Sequence, residues 1–336
     1  MIISMKTPTF IAIGDTVTDD FIALKDAHVN CRIDTETCEI SMRFGDKVPY
    51  ESLETIFAVG NAANAAVAAK RLGLESYLVS NIGGDYLGEK MLEHLSAENV
   101  HTSLIRVHED KRSNHHFVLL YEGERTILIK HEAYDYALPK FDAPEWIYLS
   151  SLGDHTESFH GLIADYLEAN PDVKLAFQPG TFQIKLGREK LARIFARTEI
   201  FFCNKDEAKH ILSSESHDVR ELSKALADLG PKIVCLTDGP NGAYMYEKEN
   251  DTLLQTPMYP DPAKPVDRTG AGDAFASTVV VALAFGLSLS EALSWGPVNS
   301  MSVVQEIGAQ KGLLTREKLE DLLQKAPVDY KVEKAS

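Results

Sequence analysis

Short apolar runs recur along most of the chain, and segments with helical patterning separate them. The runs have the length and composition of buried strands and lie at residues 10–14, 77–82, 146–150, 174–178, 199–203 and 232–237. The Ala-rich stretch 62–72 ends at Gly73 and is typical of a helix, as are residues 86–98. Strands that alternate with helices predict a parallel sheet covered on both faces, which is an α/β fold.

Two sections break this alternation. Residues 28–57 alternate apolar with polar positions in places, which is the period of a half-exposed strand. In residues 101–131, the runs 117–121 and 125–129 flank the turn 122–124 and predict a hairpin. These sections favour a second, smaller antiparallel sheet.

The charge balance narrows the classes of partner. The 336 residues include 34 Lys and Arg against 50 Asp and Glu, a formal net charge of −16. An acidic chain of this kind argues against nucleic acid as a partner, because such proteins normally carry a basic surface. The longest apolar run, 279–287, is too short to span a bilayer, and residues 1–10 have no signal-peptide pattern. We expect no membrane partner.

The cysteines indicate a reducing compartment. Cys31, Cys38, Cys203 and Cys235 show no Cys-x-x-Cys spacing. We therefore expect neither a disulfide framework nor a zinc site, and a cytoplasmic location.

The stretch 267–275 carries the strongest chemical signal. Gly270, Ala271 and Gly272 precede a long apolar helix, and Asp273 stands in its first turn. A helix start offers free N–H groups and a positive dipole end, so it binds anions, and small residues allow a phosphate to approach. Asp273 beside such an anion could accept a proton from an attacking hydroxyl, as phosphoryl transfer to an alcohol requires. From these residues alone, a Gly-rich turn with Asp273 as a capping residue is an equal alternative.

This stretch resembles the second signature of the PfkB carbohydrate kinases, the family of ribokinase and adenosine kinase. Four further family elements follow in the family's order over residues 10 to 315: 60–66 with Gly73 and Gly83, then 204–207, 237–242 and 308–309. The resemblance implies a ribokinase-like three-layer sandwich with a central, mostly parallel sheet and a small antiparallel β lid. It implies one domain over 1–325, with lid sections at about 26–57 and 101–131, and a polar tail at 326–336 that we expect to be disordered.

The resemblance also implies roles for particular residues. Asp273 would be the catalytic base, with Gly270, Ala271 and Gly272 as the anion hole. The acceptor would contact Asp19, Gly60, Asn61 and Asn64. The nucleotide would contact Asn204, Glu207, Thr237, Gly239, Gly242 and Asn299. Glu207 would hold Mg²⁺ through water, and Asp267, Thr269 and Gly308 would surround a monovalent cation such as K⁺.

Structural alternatives stand beside several of these roles. Asp19 is also a suitable helix cap or loop residue, and Asn64 a suitable N-cap of the Ala-rich helix. Asn204 and Glu207 also fit an acidic helix start, and Asn299 an ordinary helix face. His115 and His116 form a pair in the second lid section, where no carboxylate or cysteine is spaced to complete a metal site with them.

Two positions depart from the family pattern. Arg268 stands where a small residue or Thr is usual, and either clamps phosphate or points to solvent. Val59 stands where the family has the first glycine of a Gly-Gly pair, and its branched side chain adds bulk near the acceptor.

The sequence thus predicts a kinase that transfers the γ-phosphate of ATP, with Mg²⁺, to a hydroxyl of a sugar or sugar-containing small molecule. A nucleoside kinase of the adenosine-kinase type is the alternative within the enzymes. A non-catalytic sugar- or nucleotide-binding protein on the same fold is the alternative outside them. The resemblance also implies a homodimer through the lid.

Overall fold

The computed structural model describes residues 7–32, 37–122 and 124–335. Its strands, numbered β1 to β16 in chain order, are Thr9–Ile13, Val17–Leu24, His28–Arg32, Thr37–Ser41, Tyr50–Val59, Glu75–Gly83, Ile105–His108, His115–Tyr121, Glu124–Leu128, Trp146–Leu149, Lys174–Phe177, Thr198–Asn204, Ile233–Thr237, Ala243–Glu247, Thr252–Thr256 and Glu333–Lys334. Its helices, α1 to α10, are Asn61–Arg71, Tyr86–Ala97, Glu157–Ala169, Thr181–Leu186, Ala192–Arg197, Lys205–Leu212, Val219–Asp228, Ala271–Ala284, Leu289–Val303 and Arg316–Gln324, with a 3₁₀ turn at Gly239–Asn241.

Ten strands form the central sheet, in the order β16-β15-β14-β13-β12-β11-β10-β1-β6-β7. Seven neighbouring strands of this sheet are parallel to one another: β7, β6, β1, β10, β11, β12 and β13. At the β13 edge, β14, β15 and β16 follow, and each pairs antiparallel with the strand before it. The predicted α/β fold with a mostly parallel sheet is confirmed. The apolar runs located its parallel strands because such strands are buried on both faces and lose the alternating pattern.

Helices cover both faces of this sheet and make three layers. In β1, Phe10 and Ala12 face the core under α1, α8 and α9, whereas Ile11 and Ile13 face the core under α3, α5 and α7. Buried alanines along α1 let it pack closely against α8 and the sheet. No helix in the described ranges is long and apolar enough to cross a membrane.

A second sheet of four strands forms the lid, in the order β5-β2-β8-β9. Its outer pairings, β2 with β5 and β8 with β9, are antiparallel, but β2 and β8 run parallel. The predicted hairpin is therefore present, while the predicted lid bounds need correction. The lid begins at Val17, not at residue 26, and β7 joins the edge of the central sheet. The polar run Thr18–Asp20 hid β2 because its side chains contact other lid strands and not an apolar core.

The hairpin of β3 and β4 corrects the prediction for the cysteines. Cys31 and Cys38 stand directly opposite each other and form a disulfide, although the spacing of the cysteines gave no reason to expect one. A hairpin pairs residues that are several positions apart in sequence, so a motif search for Cys-x-x-Cys misses this arrangement. Cys203 and Cys235 are free and buried in the central sheet.

Residues 327–335 have a defined structure, which corrects the expected disordered tail. Tyr330 is 9% exposed and packs its ring against Tyr259, with centroids 4.9 Å apart. Its hydroxyl donates to the Ser294 carbonyl, and β16 pairs with β15 beyond it. The tail was predicted to be disordered because most of its residues are polar, but the buried Tyr330 and the edge strand β16 fix its structure.

Candidate active site

Helix α8 begins at a turn that only glycine can make. Gly270 has a φ of 77°, in the left-handed region, and a Cβ there would lie 2.3 Å from the Cβ of Ala309. The first-turn N–H groups of α8 have no partners within the helix, and the positive end of its dipole lies there. The turn at residues 270–273, where the motif predicts an anion hole, therefore presents a free helix start.

Asp273 lies buried in this first turn, with 7% of its surface exposed. Asn61 Nδ2 donates to its Oδ1 over 2.8 Å, and Asn64 Nδ2 donates to its Oδ2 over 2.8 Å. Gln178 Nε2 also donates to Oδ1, over 3.2 Å. Burial raises the pKa of the Asp273 carboxyl, while these three amides act to lower it. The net direction is upward, whereas the helix dipole considered alone predicts a carboxylate held in its charged form.

The amides around Asp273 are held in one orientation by a second row of polar groups. Gln310 Nε2 donates to Asn64 Oδ1 over 2.9 Å and to the Ala58 carbonyl over 2.8 Å. The Tyr148 hydroxyl donates to Gln178 Oε1. The amide oxygens of Asn64 and Gln178 are thus occupied by donors, so the NH₂ groups of these two amides point to the Asp273 carboxylate.

Gln178 and Gln310 escaped the sequence reasoning because neither titrates nor belongs to a motif. Gln178 follows β11 directly, at the edge of the sheet where β1, β12 and β13 also end. Polar residues that follow parallel strands gather at that edge, and this signal was available for Gln178. Gln310 stands two residues after Gly308, in a loop that only the fold brings to α1.

Asp19 lies on the face of the lid that meets the body of the molecule. In β2 it stands directly opposite Ile56 of β5 and beside His116 of β8. Ile56 reaches Gly308, where an added Cβ would lie 2.3 Å from its Cδ1. Asp19 therefore lies on the face of the lid that contacts the Gly308 loop, and its acceptor role stays a prediction.

Gly60 connects the lid to α1 and to the end of β1. Its φ is 104°, and a Cβ there would lie 2.9 Å from the Asp15 carbonyl. Asn61 and Asn64 follow in the first turn of α1, so the structure brings Gly60, Asn61 and Asn64 beside Asp273. Val59, the departure from the family pattern, is buried at the junction of lid and body and its carbonyl accepts the Thr16 hydroxyl.

Asp267, Thr269 and Gly308 also come together, around one carboxylate. Asp267 accepts the N–H of Thr269 over 2.9 Å and the N–H of Gly308 over 3.0 Å. Arg125 of the lid strand β9 lies 3.2 Å from the same carboxylate. Asp267 thereby joins the lid, the anion turn and the Gly308 loop.

A cavity of about 260 Å³ opens beside the anion site. Thr237, Gly239 and Gly242, for which the sequence predicts nucleotide contacts, line it, and Ala271 and Gly272 form the side next to Asp273. Its other walls are mainly apolar: Pro240, Ala243, Met258, Tyr259, Phe275, Pro297, Met301 and Val304. Arg268 stands on its rim, exposed and close to the anion turn.

Asn299 does not line this cavity. It is fully buried between α8 and the segment before α10, where Nδ2 donates to the Thr278 hydroxyl and Oδ1 accepts the N–H of Leu314. Ser300 and Met301, its neighbours along α9, face the cavity instead. A difference of one residue along a helix turns a side chain by about 100°, which sequence position alone does not resolve.

Asn204 and Glu207 form a reciprocal cap at the start of α6. Asn204 Oδ1 accepts the N–H of Glu207, and a Glu207 carboxylate oxygen accepts the N–H of Asn204, each over 2.8 Å. Asn204 pairs with Thr237 in the neighbouring strand, so the cap lies beside the cavity. Burial raises the pKa of Glu207, and the Asp273 charge raises it further. The carboxylates of Glu207 and Asp273 therefore repel each other.

The sequence matches the profile of the pfkB family of carbohydrate kinases over residues 22–316. The chain belongs to this family. It is a phosphotransferase with an alcohol group as acceptor.

The relatives in the family are named for different phosphate acceptors. A ribokinase of Bacillus subtilis (strain 168) is 28% identical over 88% of this chain and 97% of its own length. An ATP-dependent 6-phosphofructokinase of Thermoanaerobacterium thermosaccharolyticum is 27% identical over 80% and 85%. A nucleoside kinase of Methanothermobacter thermautotrophicus is 25% identical over 76% and 80%.

Solved structures share the fold at lower identity. The ribokinase of Arabidopsis thaliana, solved with ribose and ATP, superposes with a TM-score of 0.80 at 20% identity and covers 95% of this chain and 99% of its own. The nucleoside kinase of Methanocaldococcus jannaschii gives 0.79 at 21% identity, with the same coverage. The ribokinase fold is thereby established for this chain.

Proposed function

We propose that this protein transfers the γ-phosphate of ATP to a hydroxyl of a sugar or sugar-containing small molecule, with Asp273 as the base. The observation that carries the proposal is the Asp273 carboxylate itself. It is buried, it lies in the first turn of α8 beside the anion turn, and three amides orient it. A carboxylate that is oriented and raised in pKa accepts a proton while a phosphoryl group sits on the neighbouring N–H groups.

ATP fits the cavity beside this carboxylate. Its mainly apolar walls suit a flat base, and its inner end meets Ala271 and Gly272, so phosphates would extend toward the helix start. Arg268 on the rim adds a charge that can clamp a phosphate oxygen. The Arabidopsis relative solved with ribose and ATP supports this choice of nucleotide.

Mg²⁺ would bind by way of the nucleotide phosphates and water, with Glu207 as the outer carboxylate. The charge of Asp273 already raises the pKa of Glu207, so a dication held near Glu207 would offset this repulsion. Mg²⁺ neutralises phosphate charge in such reactions. For a monovalent cation such as K⁺, we propose the loops of Asp267, Thr269 and Gly308, and a K⁺ titration of the rate tests this.

The metal role of Glu207 has a variant that leaves the fold intact. Gln at this position keeps the reciprocal cap with Asn204, so Glu207→Gln removes the charge alone. We expect the Mg²⁺ concentration for half-maximal rate to rise by about threefold or more. Asp206→Asn, an exposed neighbour, is the matched control. Equal Mg²⁺ titrations for both variants would restrict Glu207 to capping.

The acceptor we propose is an unphosphorylated polyol, either a free sugar or the ribose of a nucleoside. A phosphosugar needs free cations. Four arginines lie in the predicted lid sections: Arg112 is exposed and could supply such a charge, whereas the other three already have partners. Arg43 pairs with Asp46, Arg106 donates to the Asp135 carbonyl, and Arg125 pairs with Asp267. The relatives include both a 6-phosphofructokinase and nucleoside kinases, so the assay must include all of these acceptors.

Two substitutions test the enzyme assignment against a non-catalytic binding protein. ADP release is measured with ribose, fructose, 2-keto-3-deoxygluconate, adenosine, inosine, cytidine, fructose 6-phosphate and fructose 1-phosphate. For the best acceptor, we expect Asp273→Asn to lower kcat by about 10²- to 10⁴-fold with little change in the KM for ATP. Asp165→Asn, on the exposed face of α3, is the control. Activity of Asp273→Asn within a few fold of the parent would refute the base, and a phosphosugar far better than every neutral acceptor would refute the acceptor class.

We also propose a homodimer through the outer face of the lid. Leu53, Phe117 and Leu128 lie on that face and are 51%, 38% and 53% exposed. A row of exposed apolar side chains on a sheet favours association. Light scattering on the purified protein would give the mass, and Leu53→Lys is expected to shift a dimer to monomer. A parent protein that is monomeric at high concentration would contradict it.

A further inference from the structure

Two adjacent histidines in the lid point to opposite faces, and each meets a carboxylate of β2. On the outer face, His115 Nε2 lies 2.8 Å from Asp20 Oδ2. On the inner face, His116 Nδ1 lies 3.4 Å from Asp19 Oδ1. Neighbouring residues of a strand alternate between faces, so the lid carries two similar pairs in two different environments.

The two pairs differ in how their polar atoms are satisfied. Asp20 also accepts the Thr55 hydroxyl, so the outer pair is complete. In the inner pair, Asp19 is 9% exposed, and within the described chain its Oδ1 and His116 Nε2 are buried without a hydrogen-bond partner. Leaving a buried polar atom unpaired is costly, so the inner pair is built to receive groups from another molecule.

A third histidine stands behind the inner pair. The ring of His131 lies 5.1 Å from the ring of His116, and His131 Nδ1 lies 3.4 Å from Asp15 Oδ2. Asp15 itself accepts the Tyr136 hydroxyl over 2.9 Å and the N–H of Gly153 over 2.6 Å. Asp15 is therefore fixed by the body of the molecule, and His131 limits the positions open to the His116 ring.

The inner pair lies on the face of the lid that contacts the Gly308 loop. Ile56, opposite Asp19, contacts Gly308, whose N–H is bound by Asp267 before the anion turn. Because β2 and β8 are paired strands of one sheet, the backbones of Asp19 and His116 are held side by side.

We propose that His116 is an acceptor-binding residue which, with Asp19, selects acceptors that carry two adjacent hydroxyls. One hydroxyl donates to Asp19 Oδ1, and its neighbour accepts a hydrogen bond from His116 Nε2. A carboxylate alone accepts from any hydroxyl, whereas a carboxylate beside an imidazole donor matches a vicinal diol. This inference rests on the proposed kinase function and deepens it.

The two histidines provide a matched pair of variants. His116→Phe keeps a ring that can pack against His131 and removes the donor, while His115→Phe makes the same change on the outer face. With the best neutral acceptor from the ADP-release assay, we expect His116→Phe to raise the acceptor KM about tenfold or more, because a hydrogen bond to a polar partner is lost. The KM for ATP should stay within about twofold. His115→Phe, compared in the parent's oligomeric state, should leave both constants within about twofold.

Acceptor analogues that lack one hydroxyl separate binding from a general effect on the lid. For the parent enzyme, removing the hydroxyl that faces His116 should lower kcat/KM, and in His116→Phe the same removal should have little further effect. His116→Gln, which retains an amide donor, should recover part of the loss. An unchanged acceptor KM in His116→Phe, an equal change in His115→Phe, or fully additive losses with every deoxy analogue would each overturn the proposal.

Failure of the kinase function itself would look different. A parent protein without ADP release for any acceptor would refute the proposed function and leave diol binding to be measured directly. In that case the thermal shift with the same sugars and nucleosides is compared between parent and His116→Phe. Equal shifts would overturn the role of His116, and a shift lost only in His116→Phe would support it.

Discussion

At the scale of single residues, the Asp273 carboxyl balances two opposed influences. Burial raises its pKa, and donors from Asn64, Asn61 and Gln178 act to lower it. Because the net direction is upward, lowering the pH protonates this group earlier than a solvent-exposed Asp. The base form is the one that accepts a proton, so the rate should fall on the acid side as the pH passes through this raised pKa.

Gln178 gives a test of that balance. Replacing it by Met removes one donor to the charged form, so the pKa of Asp273 should rise further and the acid limb of the kcat profile should move to higher pH. We expect about a tenfold loss of kcat on that limb, with smaller losses at alkaline pH. Gln324→Met, at the exposed end of α10, is the control. A parallel drop of kcat at every pH would mean that Gln178 only shapes the site.

At the scale of elements, β9 is tied to the anion turn by one ion pair. Arg125 and Asp267 lie 3.2 Å apart, with side chains 37% and 10% exposed. This pair joins a lid strand to the carboxylate that also fixes Thr269 and Gly308. The lid is therefore latched to the same loop that holds the phosphoryl group in the proposed reaction.

Breaking the latch should weaken acceptor capture moderately. Arg125→Ala is expected to raise the acceptor KM about twofold to fivefold at low salt, since a partly exposed pair contributes ~0.2–1 kcal/mol. The difference in acceptor KM between Arg125→Ala and the parent should shrink as the salt concentration rises, because salt screens the ion pair that only the parent retains. Arg43→Ala, whose ion pair with Asp46 is well exposed, is the comparison. A KM increase that persists unchanged at 1 M salt would rule out an electrostatic latch.

The hairpin of β3 and β4 makes a prediction about thiols. With Cys31 and Cys38 joined and Cys203 and Cys235 free, denatured protein without reductant should show two reactive thiols, and reduced protein four. Native protein should show almost none, since both free cysteines are buried. Titration with a thiol reagent measures this. Four thiols without reductant would mean that Cys31 and Cys38 are not joined, and would favour the cytoplasmic location that the cysteine spacing indicated.

At the scale of the whole molecule, local patterns predicted the central layer and the glycine turn that starts α8 well. Parallel strands are continuous apolar runs, and the Gly270–Asp273 turn is contiguous in sequence, so both are visible without the fold. The contacts that complete the site join distant positions: Gln178 and Asp273 are 95 residues apart, and Gln310 and Asn64 are 246 apart.

The lid was harder to predict than the core for a physical reason. Its inner face holds polar pairs such as Asp19 with His116, so β2 lacks the apolar pattern by which the core strands were found. The tail failed for a related reason, because one aromatic residue, Tyr330, fixes an otherwise polar segment. Strands held by side-chain pairing or by a single anchor leave little periodicity to detect.

Tyr330 also reaches the proposed ATP cavity through Tyr259, which lines it. Removing residues 328–335 should lower the melting temperature by several degrees and raise the KM for ATP more than the KM for the acceptor. Tyr330→Phe, which keeps the ring, should change both far less. Equal changes in the KM for ATP and the KM for the acceptor after truncation would mean that the tail does not support the cavity specifically.

The position of Tyr330 bears on when this protein becomes competent during its synthesis. The ribosome delivers the anion turn and Asp273 well before the segment that supports Tyr259, and domains begin to fold as they emerge. Until residues 328–335 have left the exit tunnel, Tyr259 in the cavity wall lacks its contact with Tyr330. Tight ATP binding would then mark a chain whose residues 328–335 have left the tunnel, and a nascent chain that still holds them inside it would bind ATP weakly.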